Sequence, residues 1–444
     1  MNYTLSQEYL IRKRKNGSFY MYHKIKNIRY EITEKLFKFL YLFKDRSIDL
    51  NDLFDLFKSN GIITNDIEQF LNRSDMANVL TSKKAIHTSA KPLDIYSQID
   101  NLPSYTEYTP ERIDLLITKQ CNLKCKHCFE ESSPKIASND IDIIALQKVF
   151  TQMDELNVKT LKITGGEPLV HPQISSILEK LAEVRFESII LTNGMLLNEK
   201  IIQLIKEANI KLGISLDGIN AQTHDCLRGK GAFDILMPKL HLLKNNKIDL
   251  TLTFTANKIN CHELERFAQY AFSKLNARCI FINRLRPMGR AANNKELFLS
   301  EDEYKLFKRR VSNLSELYGE NKISLSDDST SNTNNNIMNK STEDYPLVCA
   351  AGNTVLSLDD KLNVYPCIYG HGNSSFIMGN VSEEKLIDVW RSEKWLPFRG
   401  GTLISQIKGC NNCKQKDNCG IKNCRLKPVF NGLSFFDHVK YCSI

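Results

Sequence analysis

The order of apolar and polar positions divides the chain into stretches of different period. Residues 8–15 and 18–23 read as two strands around the Asn16-Gly17 turn, and a short third strand is predicted near Ile28 to Tyr30. Residues 33–43 place Leu36, Phe37, Phe39, Leu40 and Phe43 on one helical face. Two more helices are predicted, over 50–58, stopped by Asn60-Gly61, and over 65–80, carrying Ile67, Phe70, Leu71, Met76 and Leu80. A stretch of mixed polarity with Pro92, Pro103 and Pro110 reads as a linker.

Beyond it the pattern becomes a regular alternation. Short β-branched runs at 112–118, 160–164, 188–192, 211–215, 249–254 and 278–283 are separated by helical segments at 140–156, 173–184, 198–208, 233–245 and 262–275. Strand and helix in strict succession predict βα units around a parallel sheet. A charged helical stretch follows at 300–319. The Ser, Asn, Asp and Thr run at 324–343 is too polar to order itself and reads as a flexible linker. Residues 355–365 then predict a hairpin turning at Asp359-Asp360-Lys361.

Composition narrows the class. A chain of 444 residues with 42% apolar content can bury a large core and should hold two or three domains. No apolar run approaches the ~20 residues that span a bilayer, and the first residues lack a signal-peptide core, so the expected location is the cytoplasm. Thirteen cysteines in such a chain point to metal binding rather than disulfides. The net charge of +9 is spread along the chain and reads as solvated faces; no nucleic acid is expected as a partner.

The chemistry starts at Cys121-Asn-Leu-Lys-Cys125-Lys-His-Cys128, directly after an apolar strand. Three soft thiolates without an obvious fourth suit a four-iron cluster with one iron left open. A structural zinc site with His127 as fourth ligand is the alternative. One strand-helix unit later comes Thr164-Gly165-Gly166-Glu167-Pro168, where two glycines let backbone approach a ligand. The third strand ends in Thr192-Asn193-Gly194 and the fourth in Ser215-Leu216-Asp217-Gly218. Near the far end, Cys349 and Cys367 flank the predicted hairpin, and Cys410, Cys413, Cys419, Cys424 and Cys442 follow, more cysteine than packing needs; two zinc sites are the alternative there. Cys226, Cys261 and Cys279 stand alone and read as buried small hydrophobes.

The C-x3-C-x2-C loop followed by the Gly-Gly-Glu-Pro loop closely resembles the radical S-adenosylmethionine (SAM) enzymes. The resemblance implies an α/β fold, a partial (β/α)6 barrel over 111–300, with chemistry at the C-terminal ends of its strands. It implies that Cys121, Cys125 and Cys128 hold a catalytic 4Fe-4S cluster whose open iron binds SAM, and that one electron on this cluster releases a 5′-deoxyadenosyl radical. Gly165, Gly166, Glu167 and Pro168 would bind the amino end of SAM, Thr192, Asn193 and Ser215 would line its groove, and Arg228 would pair with the methionine carboxylate or else serve as a surface salt-bridge residue. The loop Arg284 to Arg290 would reach cofactor or substrate.

Residues 346–444 resemble the SPASM extension of peptide-modifying relatives, joined by a helix and flexible linker at 301–345. By that resemblance Cys410, Cys413, Cys419 and Cys442 hold one auxiliary 4Fe-4S cluster and Cys349, Cys367 and Cys424 another, with an iron open to a substrate thiolate. The sequence departs from the pattern in having Leu362 where a glycine is usual, and in the wider Cys419 to Cys424 spacing. Residues 1–95 resemble the winged-helix-like α+β domain (PqqD-like) that captures the leader of a precursor peptide by adding it to a sheet edge, with 96–110 as linker; a DNA-binding winged helix has a similar pattern. Wording at Glu131-Ser-Ser-Pro134, His171-Pro172 and His224-Asp225 resembles the sactipeptide maturases, which form cysteine sulfur-to-carbon thioethers in bacteriocins. The implied partners are a leader-bearing precursor peptide and an electron donor such as flavodoxin or ferredoxin. Formylglycine generation in sulfatases, carbon-carbon cross-linking, peptide-derived cofactor synthesis and a non-catalytic iron–sulfur DNA regulator are the competing expectations.

Overall fold

The structure, a computed structural model, describes residues 2–6, 9–13, 19–23, 28–43, 48–59, 61–62, 64–73, 79–82, 109–137, 140–326, 346–403, 406–410, 424, 426 and 429. It divides into two compact units: residues 1–111 with 151–159 and 185–187, and the remainder.

In the first unit, strands β1 (Asn2–Leu5), β2 (Tyr9–Lys13), β3 (Phe19–His23) and β4 (Ile28–Ile32) lead into helix α1 (Glu34–Leu42). Strands β2, β3 and β4 pair antiparallel as the alternation predicts; the turn at Asn16-Gly17 lies outside the described residues. The Thr33 hydroxyl accepts from Leu36 N at 3.2 Å and caps α1. Then come β5 (Ile48–Asp49), α2 (Leu50–Ser59), α3 (Asn65–Leu71) and β6 (Leu80–Ser82). The fully buried ring of Phe39 stacks on Phe54 at 5.7 Å and meets Phe57 edge-on at 6.3 Å, so the apolar stripe of α1 becomes the core. Two expectations change. The third helix ends at Leu71, and Leu80 belongs instead to β6, which pairs with β1 opposite β5 in a second small sheet.

The second unit is built on seven parallel strands: β7 (Arg112–Leu116), β8 (Thr160–Thr164), β9 (Glu187–Thr192), β10 (Lys211–Ser215), β11 (Leu250–Ala256), β12 (Cys279–Arg284) and β13 (Ile323–Ser326). The connecting helices are α4 (Ile143–Glu155), α5 (Ile174–Leu181), α6 (Glu199–Glu207), α7 (Ala221–Arg228), α8 (Ala232–Asn245), α9 (Leu264–Ser273) and α10 (Glu301–Tyr318). Spatial and sequence order agree from β7 to β13. The seventh strand corrects the reading of 324 onward as linker: Ile323–Ser326 pairs in parallel with β12, while 327–345 lie outside the described residues. Along β11 buried and half-buried residues alternate strictly, so one face is sealed and the other is half-buried.

The sheet continues past β7. After β14 (Pro346–Val348), strand β15 (Val355–Leu358) pairs in parallel with β7 and turns into β16 (Asn363–Tyr365), followed by β17 (Gly379–Asn380), α11 (Leu386–Arg391) and β18 (Arg399–Leu403). The hairpin predicted at 355–365 is present, with Ser357 opposite Tyr365 and Leu358 opposite Val364. Buried Trp390 and Trp395, ring centroids 5.0 Å apart, anchor the segment around α11. No helix among the described residues is long and apolar enough to cross a membrane.

Candidate active site

The cysteine loop leaves the C-terminal end of β7 and is held from three sides. Gly166 N donates to Thr118 O at 2.8 Å and Glu167 N to Gln120 O at 2.9 Å. A Cβ on Gly166 would lie 2.2 Å from Gln120 O, and one on Gly165 2.6 Å from Thr118 O. The two glycines therefore admit the backbone of the cysteine loop itself. From the other side Arg290 donates from Nε to Cys125 O at 2.8 Å and from Nη2 to Ser132 O at 2.7 Å. Gly289, at φ 53°, allows this approach, since a Cβ there would sit 2.3 Å from Phe129 O. From below, Lys126 N donates to Leu227 O at 2.8 Å.

Cys121 and Cys125 are buried and Cys128 half-buried, and none of the three is in a disulfide. Burial, with Glu167, Cys125 and Cys128 as further causes, pushes the Cys121 thiol up to about 12, while the Leu123 N–H aimed at its sulfur at 3.4 Å works the other way. A bare thiolate is costly at Cys121 and at Cys125, where burial likewise raises the pKa, and a metal group that supplies positive charge is what such donors fit. His127 turns its Nε2 to Asp217 Oδ2 at 3.5 Å, burial lowers its pKa to about 4, and its Nδ1 is buried without a hydrogen-bond partner. In a four-iron cluster each cysteine serves a different iron, so the three-cysteine loop fits that group.

Glu167 is almost fully enclosed, and its carboxylate ties the second strand's loop to the third. Oε1 accepts from Thr192 Oγ1 at 2.5 Å and Leu169 N at 3.0 Å, and Oε2 from Asn193 N at 2.7 Å. Asn193 Nδ2 in turn donates to Asn122 Oδ1 in the cysteine loop at 2.7 Å. Gly165, Gly166, Glu167, Pro168, Thr192 and Asn193 are thus one assembly with Cys121. Ser215 stands at the end of β10, half-buried, with Thr253 Oγ1 at 3.3 Å.

Arg228, expected from sequence as either a carboxylate partner or a surface ion pair, is buried at 8% exposure, and its Nε donates to Asp217 Oδ2 at 2.7 Å. Asp217 stands in the fourth strand's end named from sequence, but its role as the partner of Arg228 was missed there. It is fully buried, and its Oδ1 accepts from Thr255 N at 2.7 Å. Burial favours its neutral form, but Arg228, His127 and the Thr255 N–H outweigh that and hold its pKa below the usual carboxylate range. Its N–H donates to His224 Nδ1 at 3.2 Å. The signal available in the sequence was an acid at a strand end, followed at helical distance by a histidine and an arginine.

The hairpin cysteines form a second group. Burial drives the Cys367 thiol well above its ordinary value, with Cys424 and Cys349 adding to it, so the three thiols share one neighbourhood. Cys410 is half-exposed; Cys413, Cys419 and Cys442 lie outside the described residues. Between the two groups, His371 Nδ1 faces Glu130 Oε1 at 3.0 Å and its Nε2 faces Ser357 Oγ at 2.8 Å. The isolated Cys226, Cys261 and Cys279 are half-exposed rather than buried, and Cys279 lies 3.1 Å from Thr251 Oγ1.

Residues 115–271 match the Radical SAM superfamily, and residues 349–414 match SPASM, an iron-sulfur cluster-binding domain. The chain is 32% identical over 222 residues to the antilisterial bacteriocin subtilosin biosynthesis protein AlbA of Bacillus subtilis, which takes in 49% of this chain and 48% of that one. The match therefore spans about half the length of that relative. It is 24% identical over 345 residues to the AdoMet-dependent heme synthase of Methanosarcina barkeri, 75% of this chain and 96% of that protein. The crystal structure of Streptococcus suis SuiB bound to precursor peptide SuiA superimposes with a TM-score of 0.76 at 16% identity, over 100% of both chains, a likeness of fold.

Proposed function

We propose that this chain, which belongs to the radical SAM superfamily and carries a SPASM domain, modifies a ribosomally made precursor peptide by forming cysteine sulfur-to-carbon thioethers. The observation that carries the radical reading is the cysteine loop pinned by Gly166, Glu167 and Arg290 at the strand ends. When bound, a 4Fe-4S cluster there supplies the electron that cleaves SAM into methionine and a 5′-deoxyadenosyl radical. The protein's own residues do the rest. Glu167 commits its lone pairs to the Thr192, Asn193 and Leu169 donors and so holds the SAM loop to the third strand. Ser215 and Thr253 offer half-buried hydroxyls, and Arg228 keeps its remaining N–H groups for the methionine carboxylate while Asp217 fixes its plane.

Thioether formation, rather than another reaction on the same scaffold, rests on the likeness to the subtilosin protein and on the Cys349/Cys367/Cys424 group, which suits a cluster with an iron open to a peptide thiolate. Cys410, Cys413, Cys419 and Cys442 would hold a third cluster. The strand edges of β2 and β4, each with one neighbour among the described strands, support leader capture by strand addition. A small flavodoxin- or ferredoxin-type protein would deliver the electron in the cytoplasm.

Anaerobic reconstitution with a leader-bearing, cysteine-containing peptide tests this. Iron near twelve per chain, 5′-deoxyadenosine on addition of SAM and reductant, and loss of a pair of hydrogens per cross-link are expected. Clusters intact but no 5′-deoxyadenosine would exclude radical chemistry. 5′-Deoxyadenosine with a new carbon-carbon bond or a formylglycine in the product would replace the thioether assignment alone.

A further inference from the structure

The end of β12 and the loop after it carry three arginines, and each has a different destination. Arg284 Nη2 reaches Glu301 at 3.1 Å and its guanidinium lies 3.9 Å from the Tyr304 ring centroid. Arg290 is committed to the carbonyls of Cys125 and Ser132. Arg286 turns toward the hairpin cysteines: its Nε donates to Tyr369 Oη at 3.1 Å, and its guanidinium lies 5.2 Å from that ring's centroid. Tyr369 is two residues past Cys367, inside the short turn Ile368–Gly370 that Cys367 begins. The same ring meets Phe129, the neighbour of Cys128, edge-on at 6.1 Å. One aromatic side chain thus touches both cysteine-bearing segments, and a cation is fastened to it.

An arginine guanidinium stays protonated in a protein, so Arg286 brings a permanent positive charge to this place. A fixed positive charge beside an iron–sulfur cluster favours the reduced form, which carries one more negative charge. Resting on the reading that Cys349, Cys367 and Cys424 hold such a cluster, we propose that Arg286 sets the reduction potential of this auxiliary cluster and that Tyr369 holds its guanidinium in position. Arg286 is therefore a positioning and tuning residue, contributed by the barrel to a cluster of the SPASM segment.

The test is a redox titration followed by electron paramagnetic resonance, on the full chain with Cys121, Cys125 and Cys128 replaced by alanine so that only auxiliary signals remain. Arg286→Gln should lower the midpoint of one of the two signals, changing its oxidised-to-reduced ratio at fixed poise about tenfold, which for one electron is about 59 mV. Arg286→Lys should restore most of that shift. Tyr369→Phe keeps the charge and removes the hydrogen bond from Arg286 Nε, so a smaller shift of the same sign is expected, and this variant decides the matter if Arg286→Gln loses its cluster. Unchanged midpoints in Arg286→Gln with iron content intact, or in Tyr369→Phe where the glutamine variant fails, would overturn the inference and leave the thioether reading standing. Iron absent from this cysteine-depleted background would remove the auxiliary clusters themselves, and the inference with them.

Discussion

His224 is a neutral imidazole by construction: burial, with Arg228 as the next cause, lowers its pKa to about 4, and its Nδ1 must stay unprotonated to accept the Asp217 N–H. A group whose folded pKa lies below its unfolded value of about 6.5 contributes stability that is present above that value and lost as pH falls through the folded one. The apoprotein should therefore lose on the order of 3 kcal/mol from this residue between about pH 6.5 and pH 4. Asparagine offers an acceptor in the place of Nδ1 without titrating. His224→Asn should flatten the slope of stability against pH in denaturant titrations across that window, leaving the share contributed by His127. An equally steep slope in the variant would show that the Asp217 contact does not depend on this proton.

Turns and loops carry the information at the next scale. Leu362 has φ 62° in the turn between β15 and β16, where a Cβ costs roughly 1–2 kcal/mol. Glycine, which the resemblance leads one to expect there, has no such cost. Yet Leu362 is 6% exposed, and burying a leucine side chain contributes about 2–3 kcal/mol. Burial wins, so Leu362→Gly should destabilise the chain by about 1 kcal/mol, read as a lower urea midpoint, rather than stabilise it. Gly166 has no such compensation: the atom its Cβ would strike is the backbone oxygen of Gln120. Gly166→Ala should push the cysteine loop off the second strand, and iron assays should show loss of about four irons per chain with the auxiliary complement retained. The strand-helix alternation and these glycines were legible because period and composition are local properties. The partner of the glycines was not, since nothing in Gly165-Gly166 says that the approaching backbone is the cysteine loop and not the ligand. Likewise β13 was hidden because Ser324 and Ser326 read as linker, and only pairing to β12 makes them a strand. Leu80 misled for a related reason, its helical spacing being overridden by the edge of β1.

In the molecule as a whole, the parallel sheet and the hairpin cysteines are one structure. Val355 to Leu358 pair with Arg112 to Leu115, and Ser357 Oγ donates to Asp114 O at 2.8 Å. A chain ending at residue 345 would expose this side of β7, with Ile113 and Leu115 otherwise fully enclosed. Such a truncation should give soluble yields well below those of the full chain and multimers by size exclusion, and a monomer with native melting behaviour would show the seam to be dispensable. This pairing was illegible in the sequence because its partners are 243 residues apart and each has a nearer strand to choose. That separation also has a meaning in time. A ribosome adding about 5–20 residues per second leaves β7 without its second neighbour for on the order of ten to fifty seconds. Throughout that interval the growing polypeptide presents an apolar strand edge to the cell, so how fast the message is translated, and which chaperone meets the nascent chain, bear on how much enzyme is made.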